Sequence, residues 1–183
     1  MAVRYIVKYG NPFLRIKATP IDVINDSILT LADDMIETMQ YAEGIGLAAT
    51  QVAESIALCV VNLGLIEEGA SPKAYINPVV LNEEGSSTME EGCLSIPDIR
   101  EDVARHEIIR VKYKDLDGYE HEEIYGGMLA RVLQHEIDHL NGILFVDRIS
   151  PIKRKLLSKT LKKIAEESKL EPKVPIETLK GIL

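Results

Sequence analysis

The sequence is organised around one stretch, Gln134-His135-Glu136-Ile137-Asp138-His139-Leu140-Asn141-Gly142. Apolar residues at helical spacing before it, and the Asn-Gly pair at its end, predict a helix over about Met128 to Leu140. Residues four apart share one face of a helix, so the imidazoles of His135 and His139 can reach one metal ion. The stretch therefore predicts a helix and two ligands of a metal site.

Glu136, which follows the first histidine, is predicted to lie on the apolar face of this helix. At about 100° per residue, it points in the same direction as several apolar residues. These residues are Leu129, Val132, Leu133 and Leu140. Burying an unpaired carboxylate is costly, and burial raises its pKa, which suits a general base near neutral pH. The alternative, a surface helix whose histidines flank a core, leaves Glu136 unexplained.

A catalytic zinc-type site usually takes three protein ligands and a water, so a third ligand is needed. The long protease motif would place a histidine at position 145, where this chain has Phe145. Another protease arrangement takes a carboxylate from a later helix, but Glu166 and Glu167 lie in a lysine-rich segment expected to face solvent. Cys93 lies in the polar, loop-like segment Glu90–Ser95, where glutamates disfavour a free thiolate and a bound cation would favour it. Cys93 is therefore the candidate third ligand.

N-terminal to this stretch, the pattern predicts one helix and several strands. Asp26 or Ser27 can cap a helix whose apolar residues recur at three and four positions. Ile56–Ile66 is almost entirely apolar and predicts a buried strand, in which Cys59 is a core thiol. Ala74–Leu81 predicts a second strand, at a sheet edge or a bend because it contains a proline.

A hairpin is predicted after these strands. Residues 109–125 alternate apolar and charged side chains around Asp117-Gly118, which predicts a two-residue turn. His106 and His121 would be ordinary residues of this region, too far apart to act together.

The predicted fold class is therefore α+β, with antiparallel β-strands packed around a central helix that carries the HExxH motif, and with a C-terminal helix. Ser150-Pro151 is a natural start for that last helix, which ends near Ser168. Residues 1–168 are predicted to form a single catalytic domain, and residues 169–183 a loose tail.

Composition excludes several classes of protein. The chain has 183 residues, 46% of them hydrophobic and 27% charged, which argues against a disordered or fibrous chain. Its two cysteines cannot form the disulfide framework of a small secreted domain. The longest apolar run is shorter than the roughly 20 residues that cross a bilayer, and the N-terminus lacks the apolar region of a secretion signal. We therefore expect a cytoplasmic protein without membrane contact.

The net charge of −8 is unevenly distributed. Residues 151–170 contain seven Lys or Arg and two Glu, a local charge of +5, which leaves −13 on the rest of the chain. A basic helix can attract RNA, although a charged helix face is more often only solvated.

Gly44–Gln51 is a loop of small residues, Gly-Ile-Gly-Leu-Ala-Ala-Thr-Gln. It follows a helix, whereas a dinucleotide-binding loop follows a strand, so no nucleotide cofactor is predicted. Its glycines would let the backbone approach another group closely, and Gln51 offers an amide donor. A purely structural turn is the alternative.

Three segments, Gly44–Gln51, Glu91–Ser95 and Gln134–Gly142, resemble in the same order the three motifs of the bacterial peptide deformylases. All three are intact, and the resemblance extends over roughly residues 3–165. It implies an enzyme that removes the N-formyl group, as formate, from the N-terminal formylmethionine of newly synthesised polypeptides. The family typically uses Fe(II) in cells, with nickel, cobalt or zinc as substitutes, whereas ligand spacing alone favours zinc.

The resemblance also implies roles for individual residues. One divalent metal ion per chain would be held by Cys93, His135 and His139. A water on this ion would be the nucleophile, with Glu136 as general base and then as the acid that protonates the leaving amine. The Gln51 side chain and the Leu94 backbone N–H would stabilise the oxyanion.

A pocket for the methionine side chain is predicted beside the metal site. Helical spacing places Met128 and Val132 near the histidines, and they would line the pocket with Ile45 and Gly46. Ordinary core packing is the alternative for these residues. Arg131 is predicted at the mouth of the pocket.

Two further contacts are predicted. Asp138 is expected to pair with an arginine, Arg105, and so to support the metal ligands from behind. Because deformylases usually meet their substrates as these leave the ribosome, the basic helix at residues 151–169 could contact ribosomal RNA.

Two other functions remain open on the sequence alone. A metalloprotease with an unusual third ligand would share the HExxH motif. A non-catalytic protein with a structural metal ion would usually supply four protein ligands, and only three credible ligands can be named here.

Overall fold

The computed structural model describes residues 2–169, which form three helices and seven strands. The helices are α1 (Asp26–Tyr41), α2 (Gly127–Leu140) and α3 (Pro151–Glu167). The strands are β1 (Gly46–Ala48), β2 (Leu58–Val61), β3 (Lys73–Glu84), β4 (Ser87–Cys93), β5 (Ile96–Arg105), β6 (Ile108–Lys114) and β7 (Glu120–Gly126). Within residues 2–169, no helix is both long enough and apolar enough to span a membrane.

The strands form a five-stranded antiparallel sheet, in the order β1-β2-β3-β6-β7, and a separate antiparallel pair of β4 and β5. The motif helix α2 packs on one face of the larger sheet, where Leu133 shares a core with Val111. Helix α1 packs on the other face, where Met35 shares a core with Val60. The C-terminal helix α3 contributes Leu161 to a third core with β5. The predicted α+β class, with the motif helix at the centre, is confirmed.

β2 is buried on both faces, which explains its uninterrupted apolar sequence. Leu58 and Val60 face α1, whereas Cys59 and Val61 face α2. Cys59 is fully buried, as expected for a core thiol. The strand is shorter than the predicted Ile56–Ile66, because the chain turns into a short 3-10 segment after Val61.

β3 lies inside the sheet rather than at an edge, between β2 and β6. Its proline, Pro78, lies at a shift in register between Ile76 and Val79, so the alternative of a bend is the correct one. Asn77 takes a φ of 52° at this point, and its side chain bonds to both the N–H and the C=O of Ile21. A bulge absorbs the missing N–H of proline, which sequence periodicity does not reveal.

The β6–β7 hairpin is confirmed, but its turn is longer than the predicted two residues. Lys114 pairs with Glu120, which leaves residues 115–119 as the loop. The carboxylate of Asp115 accepts the backbone N–H groups of Asp117 and Tyr119, at 3.0 and 2.9 Å. This side-chain bonding stabilises the wider turn.

The helix starts follow ordinary capping chemistry. Asn25 caps α1, because its side chain accepts the N–H of Ile28, so neither Asp26 nor Ser27 is the cap. Ser150 caps α3 as predicted, with proline at the first helical position. The helix ends at Glu167, and the predicted tail beyond Lys169 lies outside the described residues. The boundary of the domain at residue 168 therefore stays a prediction.

Gly142 terminates the motif helix in a left-handed conformation, with a φ of 72°. The N–H of Ile143 bonds back to the C=O of Asp138 at 2.9 Å, as expected for a glycine-terminated helix. A Cβ at this position would lie 2.8 Å from the carbonyl oxygen of Arg15. Glycine is therefore required both by backbone conformation and by space.

We predict that Gly142→Ala destabilises the fold by about 1–3 kcal/mol more than Gly69→Ala, measured by denaturant unfolding. Gly69 is the matched control, since it also has a positive φ, 82°, but a Cβ there would meet nothing within 4 Å. Both variants introduce backbone strain, so the difference between them measures the clash with Arg15. Equal losses in the two variants would contradict the proposed close contact.

Candidate metal centre

Helix α2 and the end of β4 bring three potential metal ligands together. Cys93 Sγ lies 3.2 Å from His139 Nε2, and ligand atoms of Cys93, His135 and His139 all lie within 4.8 Å of one another. Metal–ligand bonds of about 2.0–2.3 Å place neighbouring ligand atoms of a tetrahedral site about 3.5 Å apart, so the group has the size for one ion. Of the segment Glu90–Ser95, expected to be loop-like, residues 90–93 belong to strand β4, and only Leu94 and Ser95 form a turn.

The positions at which other metal-site motifs would place a third ligand supply none here. Phe145 is buried, and its ring stacks on the first histidine of the motif with centroids 6.3 Å apart. Glu166 and Glu167 are exposed on α3. His106, between β5 and β6, bonds to a backbone carbonyl, and His121, in β7, bonds to an aspartate. Neither histidine belongs to the three-residue group.

Glu136 is buried beside these ligands, at 3% exposure, as the helix geometry predicts. Burial raises the pKa of Glu136 to about 7, although the charges of His135 and Arg105 act in the opposite direction. A carboxyl group with this pKa can both accept and release a proton near neutral pH.

Two buried polar atoms of the site have no hydrogen-bond partner among the described residues. They are Glu136 Oε2 and His139 Nδ1. Buried polar atoms are nearly always paired, so an orphaned carboxylate oxygen beside a thiol and two imidazoles indicates that a further group belongs there. A cation with its water would account for the Glu136 oxygen, and the chemistry of the donor set fits a divalent metal ion.

Gly46 is where the backbone approaches the site most closely. A Cβ added to Gly46 would lie 2.4 Å from Glu136 Oε1. The close approach expected for the Gly44–Gln51 loop is therefore present, and the group approached is the motif glutamate. β1 carries Gly46 and pairs with β2, which fixes this part of the chain against α2.

Glu91 is the residue of the site that the sequence reasoning missed. Its carboxylate accepts hydrogen bonds from Arg105 Nε at 2.6 Å, from Arg131, and from His135 Nδ1 at 3.1 Å. Burial raises the pKa of Glu91, but the bonds from His135 and Arg105 outweigh it and lower the pKa to about 2. Because Nδ1 of His135 is engaged by a carboxylate, Nε2 is left to bind a metal ion.

Arg105 extends this network to the back of the motif helix. Its Nη1 donates to Asp138 Oδ2 at 2.8 Å, so the two residues expected to pair are in contact. Arg148, which was not anticipated, also donates to Asp138. The side chain of Arg105 is 1% exposed and bridges Asp138 of α2 to Glu91 of β4.

Gln51 and Leu94 flank the thiol ligand. Gln51 Oε1 accepts the Ala48 N–H at 2.9 Å, while Nε2 donates to Ser95 Oγ at 3.1 Å and lies 3.5 Å from Cys93 Sγ. The Gln51 amide is thus fixed in orientation by partners at both ends. Leu94 directly follows Cys93, in the turn between β4 and β5.

A cavity of about 760 Å³ opens onto the centre. All four residues expected to line a side-chain pocket do line it, together with several apolar residues that were not predicted. The predicted residues are Ile45, Gly46, Met128 and Val132, and the others include Ile96, Pro97 and Ile99. The signal for the second group lies in β5, which the sequence pattern did not identify as a strand.

Arg131 is in the wall of the cavity but not at its mouth. The residue is 4% exposed, and its guanidinium donates to Glu91 and to the backbone carbonyls of Ser87 and Val103. The expected position at the mouth is therefore wrong. The buried carboxylate of Glu91 draws the side chain inward, and sequence spacing alone cannot show that.

A buried glutamate between two histidines, with a third donor and a cavity above them, is the arrangement of a metal-dependent hydrolase. The match to a known protein family identifies which metal-dependent hydrolase this arrangement belongs to. The chain belongs to the polypeptide deformylase family, whose family model matches residues 3–155.

Proteins and solved structures that are similar to this chain are also named as peptide deformylases. A peptide deformylase of Alkalilimnicola ehrlichii is 47% identical over 171 residues, which are 93% of this chain and 95% of that protein. A crystal structure of a peptide deformylase from Legionella pneumophila superposes with a TM-score of 0.83 at 38% identity, covering 93% of this chain and all of that one. A peptide deformylase from Synechococcus elongatus in complex with actinonin gives a TM-score of 0.80 at 41% identity, covering 85% of this chain and 86% of that one.

We predict that Gly46→Ala lowers kcat/KM for hydrolysis of a formyl-Met peptide by about 100-fold, because the new methyl group displaces the Glu136 carboxylate. Gly126→Ala is the matched control, since a Cβ there would meet only a carbonyl oxygen at 3.8 Å. Metal content and the thermal midpoint should stay close to those of the parent protein in both variants. Full activity of Gly46→Ala would show that Glu136 does not need its present position.

Proposed function

We propose that this chain hydrolyses the formamide bond of N-formylmethionyl peptides at the centre formed by Cys93, His135 and His139, and so releases formate. The observation that carries the proposal is the buried Glu136 carboxyl, which has an orphaned oxygen beside three side chains that could hold a metal ion. Membership of the deformylase family supports this choice of substrate. The proposed setting is the cytoplasm, where newly made chains emerge.

Cys93, His135 and His139 would hold one divalent ion, for which we propose Fe(II) in cells. Nickel, cobalt and zinc are the proposed substitutes, because one thiolate and two imidazoles also suit these ions. When bound, a divalent ion polarises the formyl oxygen and lowers the pKa of a water molecule. Glu91 would support this site by holding Nδ1 of His135.

Glu136 is the proposed proton carrier. Its carboxylate would take a proton from the attacking water and deliver it to the amine nitrogen as the C–N bond breaks. Burial supports this role, because it raises the pKa of Glu136 to about 7, between those of an ordinary carboxylic acid and an amine.

Gln51 Nε2 and the Leu94 N–H are the proposed donors to the oxyanion. Gln51 suits the role because its Oε1 is held by the Ala48 N–H, which leaves the amide nitrogen facing Ser95 and Cys93. A donor that is fixed before the reaction needs no reorganisation as charge develops. Asp138 and Arg105 would support the helix from behind.

The methionine side chain is proposed to enter the 760 Å³ cavity. Ile45 and Val132 would contact the side chain, Met128 would lie at the rim because it is 41% exposed, and Gly46 would leave space beside Glu136. A flexible thioether fits an apolar cavity of this kind well.

The direct test is formate release from a formyl-Met peptide by protein loaded with iron or nickel in the absence of oxygen. We predict that Glu136→Ala keeps its metal and loses about 10²–10⁴-fold in kcat, as expected when a general acid–base is removed. Cys93→Ala should instead lose the metal. Glu90→Ala is the control, because Glu90 also lines the cavity but its side chain is 62% exposed.

Two results would contradict the proposal. The first is absence of formate release by folded, metal-loaded protein, and the second is near-full activity of Glu136→Ala. Cleavage of an internal peptide bond in an unformylated peptide would instead support the alternative, an HExxH metalloprotease with an unusual third ligand.

We further propose that α3 contacts ribosomal RNA. Most of its basic residues are partly neutralised: Lys153, Arg154, Lys162 and Lys163 each have a carboxylate within 4.0 Å. Lys155 and Lys159 are exposed and, among residues 2–169, have no ion-pair partner. These two lysines are therefore the strongest candidates for phosphate contacts.

We predict that replacing Lys155 and Lys159 together by glutamate weakens co-sedimentation with ribosomes. The slope of log K for binding against log salt concentration should also fall by the amount expected for about two lost phosphate contacts. Replacing Lys17 and Lys114 by glutamate changes the net charge equally and serves as the control. Equal binding by the two double variants would contradict a role of α3.

A further inference from the structure

The segment Val7–Tyr9 connects the two loops that flank the thiol ligand. The N–H of Val7 bonds to the C=O of Gln51, and the N–H of Tyr9 bonds to the C=O of Ser95, both at 2.8 Å. Between these backbone bonds, Lys8 Nζ donates to the C=O of Leu94 at 2.8 Å. The motif that contains Gln51 and the turn that contains Cys93 are thus held by one short piece of chain.

Lys8 is an unusual residue to find in this place. It is half-buried, and among residues 2–169 no carboxylate lies within 4.0 Å of its ammonium group. Burial lowers the pKa of Lys8, and the neighbouring Cys93 side chain opposes this shift. Lysine seldom leaves solvent without a carboxylate partner, so the cost must be offset by what the ammonium group holds.

The ammonium group of Lys8 holds the turn beside Cys93. The ammonium group fixes the C=O of Leu94, the Tyr9 N–H fixes the C=O of Ser95, and Gln51 fixes the hydroxyl of Ser95. Of these three bonds, only the one from Lys8 acts on the residue that directly follows Cys93. Loss of the Lys8 bond would free the peptide group after Leu94 to rotate.

We propose that Lys8 is a positioning residue, whose ammonium group holds the Cys93–Ser95 turn so that the thiolate and the Leu94 N–H keep a fixed orientation toward the cavity. The inference rests on the proposed function, because the Leu94 N–H matters as an oxyanion donor only if the formyl group is hydrolysed here. A donor displaced by about 1 Å can cost 100-fold in rate. We therefore expect an effect on kcat rather than on KM.

The test compares Lys8→Met, Lys8→Arg and Lys153→Met. Methionine keeps the length and the apolar stem of lysine but removes the donor, and arginine restores a cationic donor. Lys153→Met is the matched control. Lys153 lies on α3, and its Nζ also makes one short bond, 2.7 Å to Glu101. Steady-state kinetics with a formyl-Met peptide is one readout. The second is the thiolate-to-cobalt charge-transfer absorption of the Co(II)-loaded protein, which reports on Cys93 without turnover.

We expect Lys8→Met to bind cobalt, to lower kcat by about 10–100-fold with KM changed less than about twofold, and to shift the charge-transfer band. Lys8→Arg should recover most of the parent kcat and most of the parent charge-transfer band, and Lys153→Met should match the parent protein in both. If Lys8→Met matches Lys153→Met in kcat and in spectrum, the proposal is wrong.

The spectrum also separates this proposal from the proposed function. If the parent protein releases no formate, the proposed function fails, and the cobalt band alone then decides whether Lys8 positions Cys93. An unshifted band in Lys8→Met would overturn the positioning role in that case too, and a shifted band would support it.

Discussion

The buried pairing of Glu91 with Arg105 is the interaction on which the rest of the site depends. The Arg105 side chain is 1% exposed and that of Glu91 is 5% exposed, so neither charge can turn to solvent. Arg105 also reaches Asp138, and Glu91 also reaches His135. One network therefore ties β4, β5 and α2 together, and it places Cys93 of β4 beside the histidines of α2. Removing one partner would leave the other buried and unpaired, which is strongly destabilising.

Two of the buried carboxyl groups of the site, Glu91 and Glu136, are in opposite electrostatic situations. Glu91 is surrounded by donors, which lower its pKa to about 2, so it remains an anion and orients its partners. Glu136 has an unpartnered oxygen, and burial raises its pKa to about 7. The two groups differ in their partners, although both side chains are almost completely buried. The difference between the two pKa values leaves Glu136 as the carboxyl group that can exchange a proton near neutral pH.

The predictable parts of the molecule are those that depend on local spacing. Helical periodicity predicts α2, its buried Glu136 and the paired histidines, and glycine content predicts the close approach at Gly46. The less predictable parts depend on long-range partners. Glu91 and Cys93 lie two apart in a strand and so share a face, but this follows only once Glu90–Cys93 is known to be strand. Arg131 illustrates the same limit, because Glu91 draws it inward from the expected position.

The central claim is that Cys93, His135 and His139 together hold one metal ion while Glu136 remains free to move protons. Anomalous diffraction from crystals grown with Co(II) or Ni(II) tests it most directly. The account predicts one ion within bonding distance of the Cys93 sulfur and of one ring nitrogen from each histidine, with no bond to Glu136. An ion bound by Glu136, or an ion located away from Cys93, would contradict the account.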